Sequence, residues 1–563
     1  MWLGNGSPTP DASKMATISC EGRLCFGNHG ESLFECADVL AVQLPSTCGR
    51  KGTCHECIVE VVEGLDALNS PTQAESFLRN PCRLACQAKI ENPTLDIRFV
   101  PWRRHSKILT ARQEKSLQLD PQVTRRGNEV YYGQEPIDRY RGHLYGIAMD
   151  LGTTTVVCDL VDLETGSSLY LSSFDNPQRF GGSDIMNRIS YDGGRFHGEL
   201  HKSIIHALNH EVREICRIAG VNREEIYEIV VAGNSTMRDL FFDIDVQSIG
   251  QKPYKSVIEL EMLAGKRQDT ALIEKASKLG IQVHPKARVY GMPLIASHVG
   301  ADTVADLLAM DMDSQQDVVM VVDVGTNTEV VIGHAGRMLI ASCPAGPAFE
   351  GGAVKFGMPG CDGAIESFSW KAGEFDYRTI GDAAPQGICG SGLIDLLAEL
   401  RRHELMTPKG VFTDKKYVLD IVPEYGITFS REDASYLAQA KAANYCGQYI
   451  LMREFGVGPA DIRKLYLAGG FANYVDVANA MEIGFLAPVP QERVVKIGNA
   501  SVQGAREFLI SKSRRDSIQK LFKNITHIEL ETTPDFFELF VEGCQFKPMP
   551  NDIVSLAVPG RKG

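Results

Sequence analysis

The chain has 563 residues, 44% of them hydrophobic and 23% charged, with a formal net charge of −13. That length exceeds one ordinary domain, and the composition is that of a globular protein. The acidic balance argues against a general nucleic-acid or membrane-surface binder, and no apolar run approaches the about eighteen residues of a membrane span.

Residues 1–14, MWLGNGSPTPDASK, are polar and rich in Pro, Gly and Ser. They lack the basic-then-apolar layout of a secretory signal, so they read as a disordered leader, with Met15 an alternative start and the cytoplasm the expected location. Of fifteen cysteines, eight lie before residue 87: Cys20, Cys25, Cys36, Cys48, Cys54, Cys57, Cys82 and Cys86. In a reducing compartment, clustered cysteines point to metal or redox chemistry rather than to disulfides. The other seven are scattered and read as small buried hydrophobes.

Residues 15–100 read as one mixed α+β unit. Two short strands (ATISCEG, RLCFGN) precede a stretch with helical apolar spacing, LFECADVLAV. The loop CGRKGTCHEC follows, then a β-branched strand, CIVEVVEG, the segment PCRLACQAKI and a last strand, TLDIRFV. Cys48, Cys54, Cys57 and Cys86 have the spacing C-x5-C-x2-C-x28-C. A compact triplet with one distant cysteine suits a [2Fe–2S] centre, and the glycines at 49 and 52 let the backbone bend around it. A four-cysteine zinc site normally shows two close pairs. A redox CxxC at Cys54 and Cys57 leaves Cys48 without a role. Cys82, four residues before Cys86, is an alternative fourth ligand. Together these segments resemble the ferredoxin-type [2Fe–2S] domain, in which RLACQ is a common setting for the last ligand, and the resemblance favours Cys86. His55 and Glu56 depart from the glycine and basic residue expected between the last two loop cysteines.

Residues 101–143 lack sustained periodicity and hold nine Lys/Arg against five Asp/Glu. They read as a linker, with a docking strip for an acidic partner as the sharper alternative.

Residues 144–545 carry two similar hairpins. In YGIAMDLGTTTVVCDLVDLETG, a strand ends at Asp150 and a loop of Gly152, Thr153, Thr154 and Thr155 leads into a second strand. VVMVVDVGTNTEVVIG repeats the design 173 residues later with Asp323, Gly325, Thr326, Asn327 and Thr328. Glycine admits backbone N–H groups close to an anion, Thr and Asn donate further hydrogen bonds, and a carboxylate orients Mg²⁺ or water. KLYLAGGFANYVDV adds a strand running into Gly469-Gly470, where backbone can lie against a base or ribose. With the helical stretches GMPLIASHVGADTVADLLAM and GNASVQGAREFLI, these segments resemble, in order, the phosphate, connecting and adenosine motifs of the acetate kinase/sugar kinase/chaperone/actin ATPase superfamily. The expected fold is therefore a ferredoxin-like [2Fe–2S] domain followed by a two-lobed α/β actin-like ATPase, with residues 546–563 as a tail.

NPQRFGGSDIMNRISY, IVVAGNSTM, CPAGPAFEGG and GICGSGLIDLL further resemble the reductive activators of corrinoid proteins, which join the same two domains. The resemblance implies ATP-dependent return of an inactive Co(II) corrinoid protein of a methyltransferase system to Co(I), by one electron from the cluster. A plant-type cluster sits near about −400 mV, and an uphill step of 100 mV costs about 2.3 kcal/mol per electron, within reach of nucleotide hydrolysis. The implied partners are that corrinoid protein and a low-potential electron donor, with no nucleic acid or membrane; the oligomeric state stays open, a homodimer included. Carried over by the motifs, Asp150 and Asp323 are the catalytic candidates, orienting Mg²⁺ or the attacking water. Gly152, Thr153, Thr154, Gly325, Thr326, Asn327, Gly469 and Gly470 hold ATP, and Cys48, Cys54, Cys57 and Cys86 hold the cluster. Glu329, Glu350 and Asn234 are weaker candidates for the cleft. A redox-gated ATPase sensor, an activator of a radical dehydratase and a small-molecule kinase are the competing functions.

Overall fold

The computed structural model describes residues 15–553 apart from 21, 43, 47, 103–116, 297, 372 and 471. The expected leader, part of the linker and the end of the tail lie outside these residues.

Strands β1 (Ala16–Cys20), β2 (Arg23–Gly27), β3 (Ile58–Glu63), β4 (Cys82–Leu84) and β5 (Ile97–Pro101) form a five-stranded sheet in the order β2-β1-β5-β3-β4. β1 runs parallel to β5, and the other neighbours are antiparallel. The helix Leu33–Val39 starts at Ser32, whose hydroxyl and amide exchange bonds with Glu35 in a capping box. It buries Leu33, Phe34 and Ala37 against Ile18, Val59, Leu84 and Phe99 of the sheet. One fully buried ion pair is tolerated inside: Arg83 meets Glu75 at 2.8 Å, and the spare acceptor capacity is filled by the Leu84 amide.

Within the stretch expected to be a linker, residues 123–139 are folded, a correction to that reading. β6 (Val123–Arg126), β7 (Glu129–Tyr132) and β8 (Glu135–Arg139) make an antiparallel meander, turned at Gly127 and Gly133 in left-handed conformation. Its strands are too short to show a period. The meander is fastened to the next domain by Tyr132, which donates to Glu228, and by Asp138, which accepts from Tyr227.

Two six-stranded sheets then carry the same core pattern. In the first, β9 (Tyr145–Leu151), β10 (Thr155–Asp162), β11 (Ser168–Asp175), β12 (Ile226–Ala232), β13 (Leu272–Lys275) and β14 (Arg288–Gly291) lie in the order β11-β10-β9-β12-β14-β13. In the second, the order β24-β23-β15-β16-β17-β25 joins β15 (Val319–Val324), β16 (Thr328–His334), β17 (Arg337–Cys343), β23 (Lys464–Ala468), β24 (Val494–Gly498) and β25 (Ile525–His527). In each, an antiparallel three-strand meander is followed by two parallel strands, β9-β12-β14 matching β15-β23-β24. Central strands are buried on both faces, as their continuous Val/Ile runs require. Lobe 2 adds a small sheet of β18 (Ala364–Lys371), β19 (Glu374–Thr379) and β20 (Gly387–Ile388), and a hairpin of β21 (Val418–Val422) and β22 (Ile427–Ser430).

The helices Ala301–Ala309 and Ala500–Ile510 cross at the junction of the lobes. A Cβ on Gly504 would stand 1.9 Å from the Ala305 carbonyl oxygen, so only glycine permits this approach. Among the described residues, no helix is long and apolar enough to cross a membrane.

Candidate functional site

The two hairpin loops meet across a cleft. Asp150, Gly152, Thr153 and Thr154 come from the β9–β10 turn, and Asp323, Gly325, Thr326 and Asn327 from the β15–β16 turn. Gly469 and Gly470 follow β23, so every nucleotide residue expected from the sequence lines one cavity. Gly469 has φ +112, and a Cβ there would lie 2.1 Å from the Val324 carbonyl oxygen. The strand-to-helix turn thus packs directly on the second phosphate loop.

The cavity holds about 130 Å³, well under the roughly 300–1,000 Å³ of an ordinary small-molecule site. Side chains bridge it. Thr154 Oγ1 and Thr326 Oγ1 lie 3.2 Å apart, and both donate to Oε2 of Glu350, from Thr154 at 3.1 Å. Behind the first loop, Asn234 donates to Thr153 Oγ1 (3.0 Å), Arg188 to the Thr153 carbonyl (2.6 Å) and Asn176 to the Gly152 carbonyl (2.8 Å).

Carboxyl groups crowd the floor. Burial pushes Asp150 up to about 7, assisted by Asp302 and Asp323, against a bond from Asn499 Nδ2 at 2.6 Å. Burial also lifts Asp302 to about 7, and it raises Asp323, Asp306, Glu329 and Glu350. Burial and mutual repulsion thus push these carboxyls upward together, and a nearby cation would favour their charged forms. Asp302, Asp306 and Asn499 escaped the sequence reading. Asp302 and Asp306 sit on one face of the helix Ala301–Ala309, and Asn499 caps the helix Ala500–Ile510; the helical segments were recognised but not these polar positions.

The cysteines form a second site about the loop at 48–57. The Cys48 and Cys54 thiols hydrogen-bond to each other, and those of Cys57 and Cys86 do the same. Burial raises the Cys48 thiol, but the Cys54 thiol and the amides of Cys54, Thr53 and Lys51 outweigh it and bring Cys48 down to about 6. The Cys57 thiol, against burial, brings Cys86 to about 6 with help from Gln87 and the Gly52 amide. Burial raises Cys54, opposed by the Glu56 and Cys48 amides. Gly49, Arg50, Gly52 and His55 all take positive φ, which winds successive N–H groups toward the sulfurs as in an anion nest. Cys82 stands apart on β4: burial and Glu60 push it up to about 12, and none of the other thiols bears on it. Among the described residues, no three His, Cys, Asp or Glu side chains converge as a lone metal ion requires. Cys48 with Cys54 and Cys57 with Cys86 form two thiol pairs under a shell of backbone amides.

His55, between two of these cysteines, has φ +57, a conformation costing a non-glycine residue on the order of 1 kcal/mol. Its ring stacks on Phe77 at 4.0 Å between centroids, and Nδ1 meets Glu199 at 3.1 Å.

Residues 145–315 match the family model described as the RACo middle region, and residues 317–555 match that of the C-terminal domain of RACo, the ASKHA domain. The chain is 30% identical to the corrinoid activation enzyme RamQ of Eubacterium limosum, over 91% of this chain and 95% of that protein. It is 26% identical to the [Co(II) methylated amine-specific corrinoid protein] reductase of Methanosarcina barkeri, over 71% and 76%. Among solved structures, a reductive activator for corrinoid,iron-sulfur protein superposes with a TM-score of 0.69 at 26% identity, covering 94% of this chain and 98% of that one. With its doubled phosphate loops and this similarity along nearly the whole length, the chain belongs to the family of reductive activators of corrinoid proteins.

Proposed function

We propose that the protein uses ATP with Mg²⁺ to return an inactive Co(II) corrinoid protein to Co(I) by a one-electron reduction. The observation carrying this reading is the joining, in one chain, of a two-loop nucleotide cleft to a loop of paired thiols. The superposed activator covers 94% of this chain, which supports reading the thiol domain as part of the same architecture.

Cys48, Cys54, Cys57 and Cys86 would hold a [2Fe–2S] cluster, which when bound supplies one-electron carriage at low potential. The chain's own part is to shield that charge with the amides of Lys51, Gly52, Thr53 and Glu56. In the cleft, Thr153, Thr154, Thr326 and Asn327 present donors to the phosphates, and Asp150 and Asp323 face each other to orient Mg²⁺ or the attacking water. Gly469 and Gly470 border the adenosine. Glu350 must release both threonines before phosphate takes their bonds, so nucleotide entry changes how the lobes are joined. An electron donor of low potential feeds the thiol domain.

Anaerobic protein mixed with MgATP, a low-potential reductant and a Co(II) corrinoid protein should develop the Co(I) absorption band, and omission of ATP should suppress it. Co(I) formation at the same rate without nucleotide would overturn the reading.

A further inference from the structure

The cluster-bearing loop does not hang free. It rests on the helix Glu199–Ala219 of the first ATPase lobe, with contacts at Glu199 and at His206, seven residues, or two turns, apart. Glu199 Oε2 meets His55 Nδ1 at 3.1 Å, and His206 Nδ1 lies 2.9 Å from the Cys54 carbonyl oxygen, so the imidazole donates to a peptide between two of the paired cysteines. Between the loop and the next turns of the helix the contact opens into a cavity of about 740 Å³, bordered by Arg50 and Glu56 on one side and by His210, Glu211 and Glu214 on the other. The grip includes the Cys54 carbonyl and the His55 ring. The helix start is in turn tied toward the nucleotide: Gln178 donates to the Leu200 carbonyl, and Asn176 in the same turn holds the Gly152 carbonyl of the first phosphate loop.

We propose that Glu199 and His206 are positioning residues for electron transfer, by which the ATPase lobe fixes the ligand loop and sets the potential of the group the cysteines hold. This rests on the reading of those cysteines as [2Fe–2S] ligands. Glu199 is an anion here, since the hydrogen bond from His55 leads in holding it down to about 2, with Lys202 adding to it at 2.9 Å. A fixed carboxylate beside the loop disfavours the reduced, more negative state, and the exposed Lys202 partly offsets it. His206 works by geometry, holding one peptide that carries a ligand.

The test is a potentiometric EPR titration of the full-length, anaerobically purified protein at one fixed pH. E199Q removes the anion and should raise the potential; K202M removes the opposing cation and should lower it. A tenfold change in the reduced-to-oxidised ratio at fixed poise corresponds to about 59 mV for one electron, and E199Q should approach it. H206L should alter the g-value spread of the reduced signal, and H206Q, which keeps a donor, should restore it. Opposite shifts in E199Q and K202M, with rescue by H206Q, support the proposal. Wild-type potentials in both charge variants overturn it, as does H206Q deviating as far as H206L; iron loss from E199Q with K202M unshifted overturns it too. Absence of iron, sulfide and any signal from the wild-type protein would instead strike the cluster reading itself.

Discussion

Cys82 and Cys86 illustrate how much turns on a single position. Both fit a four-cysteine count, and four residues separate them. The backbone sends Cys82 onto β4 opposite Glu60 and Cys86 into the turn that follows, where its thiol meets Cys57. Cys86→Ser should leave a protein with much reduced iron and an altered visible spectrum, whereas Cys82→Ser should keep its iron at two per chain; metal and sulfide analysis decides it. His55 is the other instructive residue. In the sequence it is only a departure from the usual loop. Its role becomes visible once Phe77 and Glu199, distant in the chain, are seen to close around the ring.

At the level of elements, what was legible was local. Both glycine-turned hairpins, and β1, β2, β3 and β5 of the thiol domain, are legible in the sequence, whereas β4, three residues long, is not. The meander of β6, β7 and β8 escaped because strands of four and five residues carry no period and their support comes from Glu228 and Tyr227, about 90 residues away in the chain. Asp302, Asp306 and Asn499 escaped because their meaning lies in which helix crosses which. That crossing is itself testable. Gly504→Ala sets a methyl against the Ala305 carbonyl and forces the two helices apart. It should cost about 1–3 kcal/mol and lower the midpoint of thermal unfolding. Because the same helices carry Asp302, Asp306 and Asn499, nucleotide affinity should fall as well, measured by calorimetric titration.

For the whole molecule, the duplicated lobes and the docked thiol domain make nucleotide turnover and electron delivery properties of one body. ATP hydrolysis by an activator should rise several-fold when a Co(II) corrinoid protein is added, and change little when the thiol domain is merely oxidised. A redox-gated sensor would behave the opposite way, responding to oxidation with no corrinoid protein present. A steady-state phosphate-release assay under both conditions separates the two.

The bridge of Thr154, Thr326 and Glu350 has a kinetic consequence for the resting protein. The Thr154 and Thr326 hydroxyls are engaged by Glu350, so on the proposed function phosphate would compete with this bridge for them. Apparent affinity falls by the fraction of molecules that are open; if about one in a hundred is open, ATP binds about a hundredfold more weakly than the open cleft alone would allow. Any partner that holds the lobes apart removes this handicap. On the proposed function, these three side chains would restrain idle consumption of ATP.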